Sequence, residues 1–348
     1  MDTILIFLSS GLFLGWSLGA NDAANVFGTA VSTKMLKFKW AAIICSIFVI
    51  LGAVIGGAGA SETLGKLGSV NAIAGSFTVA LAAGLTVFLM TRVKLPVSTS
   101  QAIVGAIIGW NFFSGFKTDI STLTKIVYTW VLCPILAAIF GYVLYKALII
   151  YIRRSKIHMI RIDQYTRIGL IFVGAFGSYS LGANNIANVM GVFVPVSPFK
   201  SINIAGFTLS NTSILFFLGA LAISLGVFTY SKKVMTTVGS DIFRISPLDA
   251  FIVVLSSSLV LFIFASEGLQ AFLISYGLPS FPLVPVSSSQ AVVGAILGIA
   301  IGKGGKNINF GIMGKIGMGW VLTPFISGVI AFIMLFFMQN VFMQKVVL

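Results

Sequence analysis

GANDAANVFG at residues 19–28 and GANNIANVMG at 182–191 are near copies of each other, each set within apolar sequence. A second pair follows in the same order, PVSTSQAIVGAIIG at 96–109 and PVSSSQAVVGAILG at 285–298. A third marker, Trp130-Val131-Leu132-Cys133-Pro134, returns as Trp320-Val321-Leu322-Thr323-Pro324. The chain is therefore two copies of one unit, and each copy carries polar clusters where a bilayer tolerates them least. Matching interruptions of hydrophobic segments in two halves point to a transport site at their interface.

The sequence around these motifs is that of a membrane protein. Hydrophobic residues make up 58% and charged residues 9% of the 348 positions, against roughly 25% charged in a soluble domain. Mean hydropathy is +1.07. Apolar runs at 40–57, 70–91, 121–151, 204–228 and 325–343 are each long enough to cross a hydrocarbon core about 30 Å thick. The opening run lacks a basic leader and leads straight into the first polar motif, unlike a secretory signal. The net charge of +14 comes from loops between spans, where Lys and Arg mark the cytoplasmic side, so no nucleic-acid partner is expected. Cys45 and Cys133 lie in apolar runs and read as small buried hydrophobes.

The basic loops alternate out of phase between the halves. Lys34, Lys37 and Lys39 follow the first Asn motif, and Arg92 and Lys94 precede the first PVS motif. The matching second-half positions hold only Lys200 and, over 276–284, no charge. Conversely, Lys232, Lys233 and Arg244 occupy a loop whose first-half counterpart has Glu62 and Lys66. By the positive-inside rule the two copies face opposite ways. The expected fold is an all-α polytopic membrane protein of two inverted-topology repeats, residues 1–152 and 167–348, joined by a basic cytoplasmic linker at 153–166. Five crossings per half fit: 3–33, 40–57, 70–91, 95–116 and 121–151, then 167–194, 204–228, 247–275, 285–302 and 312–345. Both termini would lie outside, and broken or re-entrant segments would bring the count to about 10–12 helices. If 70–110 is a hairpin, Arg92 and Lys94 sit near its tip and approach the substrate.

Asn21 and Asn25 are four residues apart, as are Asn184 and Asn188, so each pair shares one helix face. Asp22 joins the first set and Asn185 the second. Amide and carboxylate oxygens are hard ligands for hard cations, and an intramembrane carboxylate is a functional residue by default. Pro96 and Pro285 precede Ser98, Thr99, Ser100 and Gln101, and Ser287, Ser288, Ser289 and Gln290. Hydroxyls between a proline and an apolar run mark a helix start. Free N–H groups and hydroxyls there suit an anion. Capping explains one Ser per helix, but not three hydroxyls and a Gln copied twice. Asp249, after Ser246-Pro247, reads as a helix-start residue. Glu267 is either a cation or proton site or an interface residue, and His158 is a solvated linker residue.

With these motifs the chain resembles the inorganic phosphate transporter family of sodium- or proton-coupled permeases, along essentially its whole length. The resemblance implies an inverted-repeat membrane fold, substrate between the halves, a homodimer in the cell membrane, and symport of phosphate with a cation. Phosphate would be held by Ser98, Thr99, Ser100, Gln101, Ser287, Ser288, Ser289 and Gln290. Co-transported sodium, with no resident cofactor, would be held by Asn21, Asp22, Asn25, Asn184, Asn185 and Asn188. Two departures bear on the ion. Asn185 stands where the family keeps a second aspartate, and Gln101 and Gln290 stand where relatives often carry His. Gln does not titrate, so neutral oxygens around one carboxylate favour sodium over a proton relay. The alternatives are a proton-coupled phosphate or metal-phosphate permease, a sulfate permease, or an anion channel. An enzyme is not expected, since no paired carboxylates, metal-ligand set or Walker loop is present.

Overall fold

The computed structural model describes residues 2–68, 70–92, 97–155, 158–204, 207–235, 246–305 and 310–348. Pro96, Lys94, Lys156 and Arg244 lie outside them. The first half forms α1 (Asp2–Ser32), α2 (Phe38–Gly56), α3 (Ala58–Leu67), α4 (Ile73–Arg92), α5 (Thr99–Ser114) and α6 (Ile120–Ser155). The second half forms α7 (Met159–Met190), α8 (Asn211–Thr229), α9 (Pro247–Ala265), α10 (Glu267–Ser275), α11 (Ser288–Gly302) and α12 (Phe310–Asn340). Among the described residues α2, α4, α6, α8, α9 and α12 are long and apolar enough to cross a membrane.

The helices follow the expected segments, with four differences. The segments 95–116 and 285–302, expected as crossings, form α5 and α11 of only 16 and 15 residues, too short to span. Helix α3 is a short extra element after α2. The expected span 247–275 breaks at Ser266, whose hydroxyl accepts from Leu269 N–H and starts α10 afresh. A two-stranded antiparallel hairpin, β1 (Ile202–Ile204) and β2 (Phe207–Leu209), precedes α8. Helices α6 and α7 run into most of the 153–166 stretch, so the basic junction is largely helix ends. His158 is exposed and caps α7, its Nδ1 accepting from Ile160 N–H at 3.4 Å.

Helix packing repeats when the halves are exchanged. Helix α1 packs on α8 as α7 packs on α2, α4 on α1 as α9 on α7, and α5 on α12 as α11 on α6. The closest approaches repeat residue by residue. A Cβ on Gly105 would strike the carbonyl of Pro324, and one on Gly294 the carbonyl of Pro134. Likewise Gly19 faces the Ile223 backbone and Gly182 the Val49 backbone. Without a hydrophobic drive between helices in lipid, such small-residue contacts supply the packing. Pro134 and Pro324 lie inside α6 and α12, and each removes the helical bond to the carbonyl four residues earlier, at Trp130 and Trp320.

Besides the short α3 and α10, the two helices that carry the PVS motifs are too short to span. Helix α5 has 16 residues and α11 has 15. At 1.5 Å per residue each is about 23 Å long, short of the ~30 Å core. Each starts from an extended cap residue, Ser98 or Ser287.

Candidate functional site

Helices α5 and α11 start in the same way. Ser98 is extended and its hydroxyl accepts from Gln101 N–H at 3.3 Å; Ser287 does the same for Gln290 N–H at 3.3 Å. Capping therefore occupies Ser98 and Ser287 and leaves the other hydroxyls to other tasks. Ser100 donates to the Val286 carbonyl at 3.1 Å, and Ser289 donates to the Val97 carbonyl at 3.3 Å. Each helix start thus grips the backbone carbonyl of the valine just before the other's cap. The two PVS motifs, far apart in the chain, form one crossed unit through bonds such as that between Ser100 and Val286, 186 residues apart.

The Asn motifs of α1 and α7 wrap this unit. Asn188 Nδ2 donates to Ser100 Oγ at 2.9 Å and to Asn185 Oδ1 at 3.0 Å. Asn25 Nδ2 donates to Ser288 Oγ at 3.3 Å. Ser288 in turn donates to Asp22 Oδ2 at 2.8 Å, while Asn21 Nδ2 donates to Asp22 Oδ1 at 2.9 Å. Asp22 is 3% exposed, a carboxylate bonded to a hydroxyl and an amide. Thr99, Gln101 and Gln290 are also buried, and Thr99 Oγ1, Gln101 Oε1, Gln290 Oε1, Asn185 Nδ2 and Asn188 Oδ1 have no protein partner. Buried polar groups without partners are rare in a finished core. Here they collect, as donors and as acceptors, around the crossed helix starts. That inventory suits a bound oxyanion and a hard cation together.

The two copies differ in one respect. Asn184 clasps the Val286 backbone twice: Nδ2 donates to its carbonyl at 2.7 Å, and its N–H donates to Oδ1 at 2.9 Å. Asn21, the counterpart, makes no bond to Val97 among the described residues; it is half-buried and lines a cavity of about 240 Å³ with Arg92. The second-half cluster is closed and the first-half cluster is open. The Val97 and Val286 backbones, absent from the sequence-level candidates, are central here; the identical Pro-Val-Ser spelling of the two copies was the available signal.

Other candidates fall outside. Glu267 is exposed in the first turn of α10, on the surface reading. Asp249 forms a capping box with Ser246 and an ion pair with Lys303 at 2.6 Å, as a helix-start residue. No group of three or more His, Cys, Asp or Glu side chains able to hold a metal occurs among the described residues.

A model of the phosphate transporter family matches residues 18–163, 153–280 and 271–347, nearly the entire chain. The chain belongs to the phosphate transporter family. A relative from Methanocaldococcus jannaschii that carries a phosphate permease name is 29% identical over 92% of this chain and 93% of its own length. A sulfate permease of Bacillus subtilis is 28% identical over 93% of this chain and 84% of its own. A solved structure of a sodium-dependent phosphate transporter shares the fold, with a TM-score of 0.73 and 23% identity over 97% of this chain and all of that one. As a member of the family the chain is a membrane transport protein, and phosphate is the family's substrate.

Proposed function

We propose that the chain imports inorganic phosphate by sodium symport, with alternating access around a site between the repeats. The observation that carries this reading is the crossed unit: two capped helix starts, each donating a hydroxyl to the valine carbonyl just before the other, flanked by both Asn clusters. Phosphate sits between the starts of α5 and α11, on Ser98, Thr99, Ser100, Gln101, Ser287, Ser288, Ser289 and Gln290. Free first-turn N–H groups and the helix dipoles favour the anion there. Sodium ions sit beside it, on Asn21, Asp22, Asn25 and on Asn184, Asn185, Asn188. Phosphate and sodium then stabilise each other's binding, and the coupling is reciprocal. The solved structure that shares this fold is of a sodium-dependent phosphate transporter, and the glutamines at 101 and 290 favour sodium over protons.

The charge alternation supports inverted repeats at 1–152 and 167–348, a cytoplasmic junction at 153–166 and both termini outside. The family resemblance adds a cell-membrane homodimer. Labelled phosphate uptake into proteoliposomes, with an inward Na⁺ or H⁺ gradient at matched membrane potential, tests the reading. Uptake driven by Na⁺ supports it; uptake driven only by H⁺ removes the sodium assignment. A second reading, sulfate as cargo, is favoured by the sulfate permease among the relatives. Competition between the two anions separates them, since sulfate at neutral pH lacks the donor O–H that phosphate retains.

A further inference from the structure

Within the two Asn clusters, Asp22 in the first stands where Asn185 stands in the second. The hydrogen bonds of the second cluster fix which atom each amide presents. The Val286 backbone offers one N–H and one carbonyl, and Asn184 meets them with Oδ1 at 2.9 Å and Nδ2 at 2.7 Å. That orientation has no alternative, and it makes Asn184 Nδ2 the donor to Asn185 Oδ1 as well, at 3.1 Å. Asn188 Nδ2 donates to the same oxygen at 3.0 Å. Asn185 Oδ1 therefore accepts two amide bonds, which occupy both its lone pairs. What the residue has left is a donor, Nδ2, buried and without a partner. One neutral side-chain acceptor without a partner remains in this cluster, Asn188 Oδ1. The first cluster is the reverse. Asp22 accepts one bond at each oxygen, from Asn21 at 2.9 Å and from Ser288 at 2.8 Å. A carboxylate has about four acceptor sites, so both oxygens can still take a cation. Asp22 pairs with no Lys or Arg among the described residues, and a buried charge calls for a counter-ion.

We propose that the two clusters are unequal sodium sites filled in order: the Asp22 cluster is ready, and the Asn185 cluster takes its ion only after the Asn184 clasp on Val286 opens. The identity of the ion rests on the sodium reading above. Asn184 Nδ2 holds both the Val286 carbonyl and Asn185 Oδ1, so turning this amide away frees both oxygens together. Filling the second site therefore opens the clasp, and the shut clasp lowers the affinity of that site. An apparent affinity falls by the fraction of protein in the competent state. Two backbone bonds of ordinary strength make that fall about 5–150-fold.

Equilibrium dialysis of radioactive sodium against the intact protein in lipid nanodiscs, without phosphate, tests the order without relying on uptake. The wild type should bind one ion tightly and a second about 5–150-fold more weakly. Asp22→Asn should remove the tight class. Asn185→Asp supplies a carboxylate that accepts both amides and keeps acceptor sites free, so it should raise the second affinity at least about fivefold. Hydrogen exchange of wild-type peptides covering 284–290 should rise at sodium concentrations that fill the second class and not at those that fill only the first. Two equal classes in the wild type overturn the order, as does a single ion at every concentration or an Asn185→Asp isotherm unchanged from the wild type. Exchange at 284–290 that ignores the second ion overturns the link to the clasp. In each of these results sodium still binds, and the sodium reading stands. No saturable sodium binding, together with uptake driven only by H⁺, removes the sodium reading and the order with it.

Discussion

Replacing Asn184 with Ala probes the difference between the two halves. The side chain makes two bonds to the Val286 backbone, at 2.7 and 2.9 Å, and one to Asn185 at 3.1 Å. Val286 is fully buried, so water does not replace the lost partners while the clasp is shut. At about 0.5–1.5 kcal/mol net per bond, the two backbone bonds are worth about 1–3 kcal/mol. If they hold the second half closed, Asn184→Ala shifts the closed state toward opening by that amount. With 1.4 kcal/mol per tenfold, the equilibrium moves roughly 5–150-fold. Hydrogen exchange followed by mass spectrometry reads this directly. Peptides covering 284–290 should exchange at least about fivefold faster in the variant. Asn21→Ala is the internal control, because Asn21 holds no equivalent bond to Val97; peptides beginning at Val97 should change little. Equal acceleration in both variants, or none in Asn184→Ala, would refute the idea that this clasp sets which half is shut. Alternating access predicts the mirror arrangement in the opposite state, with Asn21 bracketing the Val97 backbone and Asn184 released.

Asp22→Asn should abolish or sharply weaken sodium-dependent uptake while leaving the fold intact, since an amide can still accept from Ser288; unchanged uptake would remove the cation assignment. Ser100→Ala with Ser289→Ala should weaken phosphate binding more than sodium binding in equilibrium dialysis. Gly105→Ala and Gly294→Ala drive a Cβ into the Pro324 and Pro134 carbonyls. Each should lower the melting temperature in detergent by the equivalent of about 1–3 kcal/mol. Gly314→Ala, with open space around it, should be neutral. Asp119 caps α6, and its carboxylate accepts from Thr122 Oγ1 and Ser121 N–H. The Thr122 bond first, with the backbone bonds and Lys125, holds the carboxyl below its ordinary range. A depressed folded-state pKa stabilises above the unfolded value and is lost as pH falls through the folded one. Acid melts of the wild type should therefore show a small loss over that window that Asp119→Ala lacks.

Much of this site was legible before any coordinates. The Pro-Val-Ser spelling located both helix starts, and Ser98 and Ser287 are indeed extended caps. The spacing of Asn21 with Asn25 and of Asn184 with Asn188 put each pair on one face, and the structure brings Asn25, Asn184 and Asn188 against the PVS motifs while Asn21 faces the cavity. The break at Ser266 was not anticipated, because a Ser inside an apolar run reads as a tolerated polar residue until its hydroxyl is seen capping Leu269. Glu267 kept two readings for the same reason: hydropathy does not tell a helix interior from a helix start at the surface. Arg92 had both a loop reading and an approach to the substrate, and its place on the cavity wall depends on where α1 and α8 lie.

The sequence by itself determined the membrane class, the duplication, the helix starts and the chemical character of the candidate site. Those properties follow from composition and from periodicity along one segment, which need no partner to be defined. Only the tertiary structure decided that Ser100 reaches Val286 while Ser289 reaches Val97, and that Asn184 is clasped while Asn21 faces a cavity. Near-identical motifs carry near-identical local preferences, so sequence cannot tell the closed copy from the open one. That choice belongs to the packing of whole helices, where glycines at 19, 105, 182 and 294 set how closely the backbones approach.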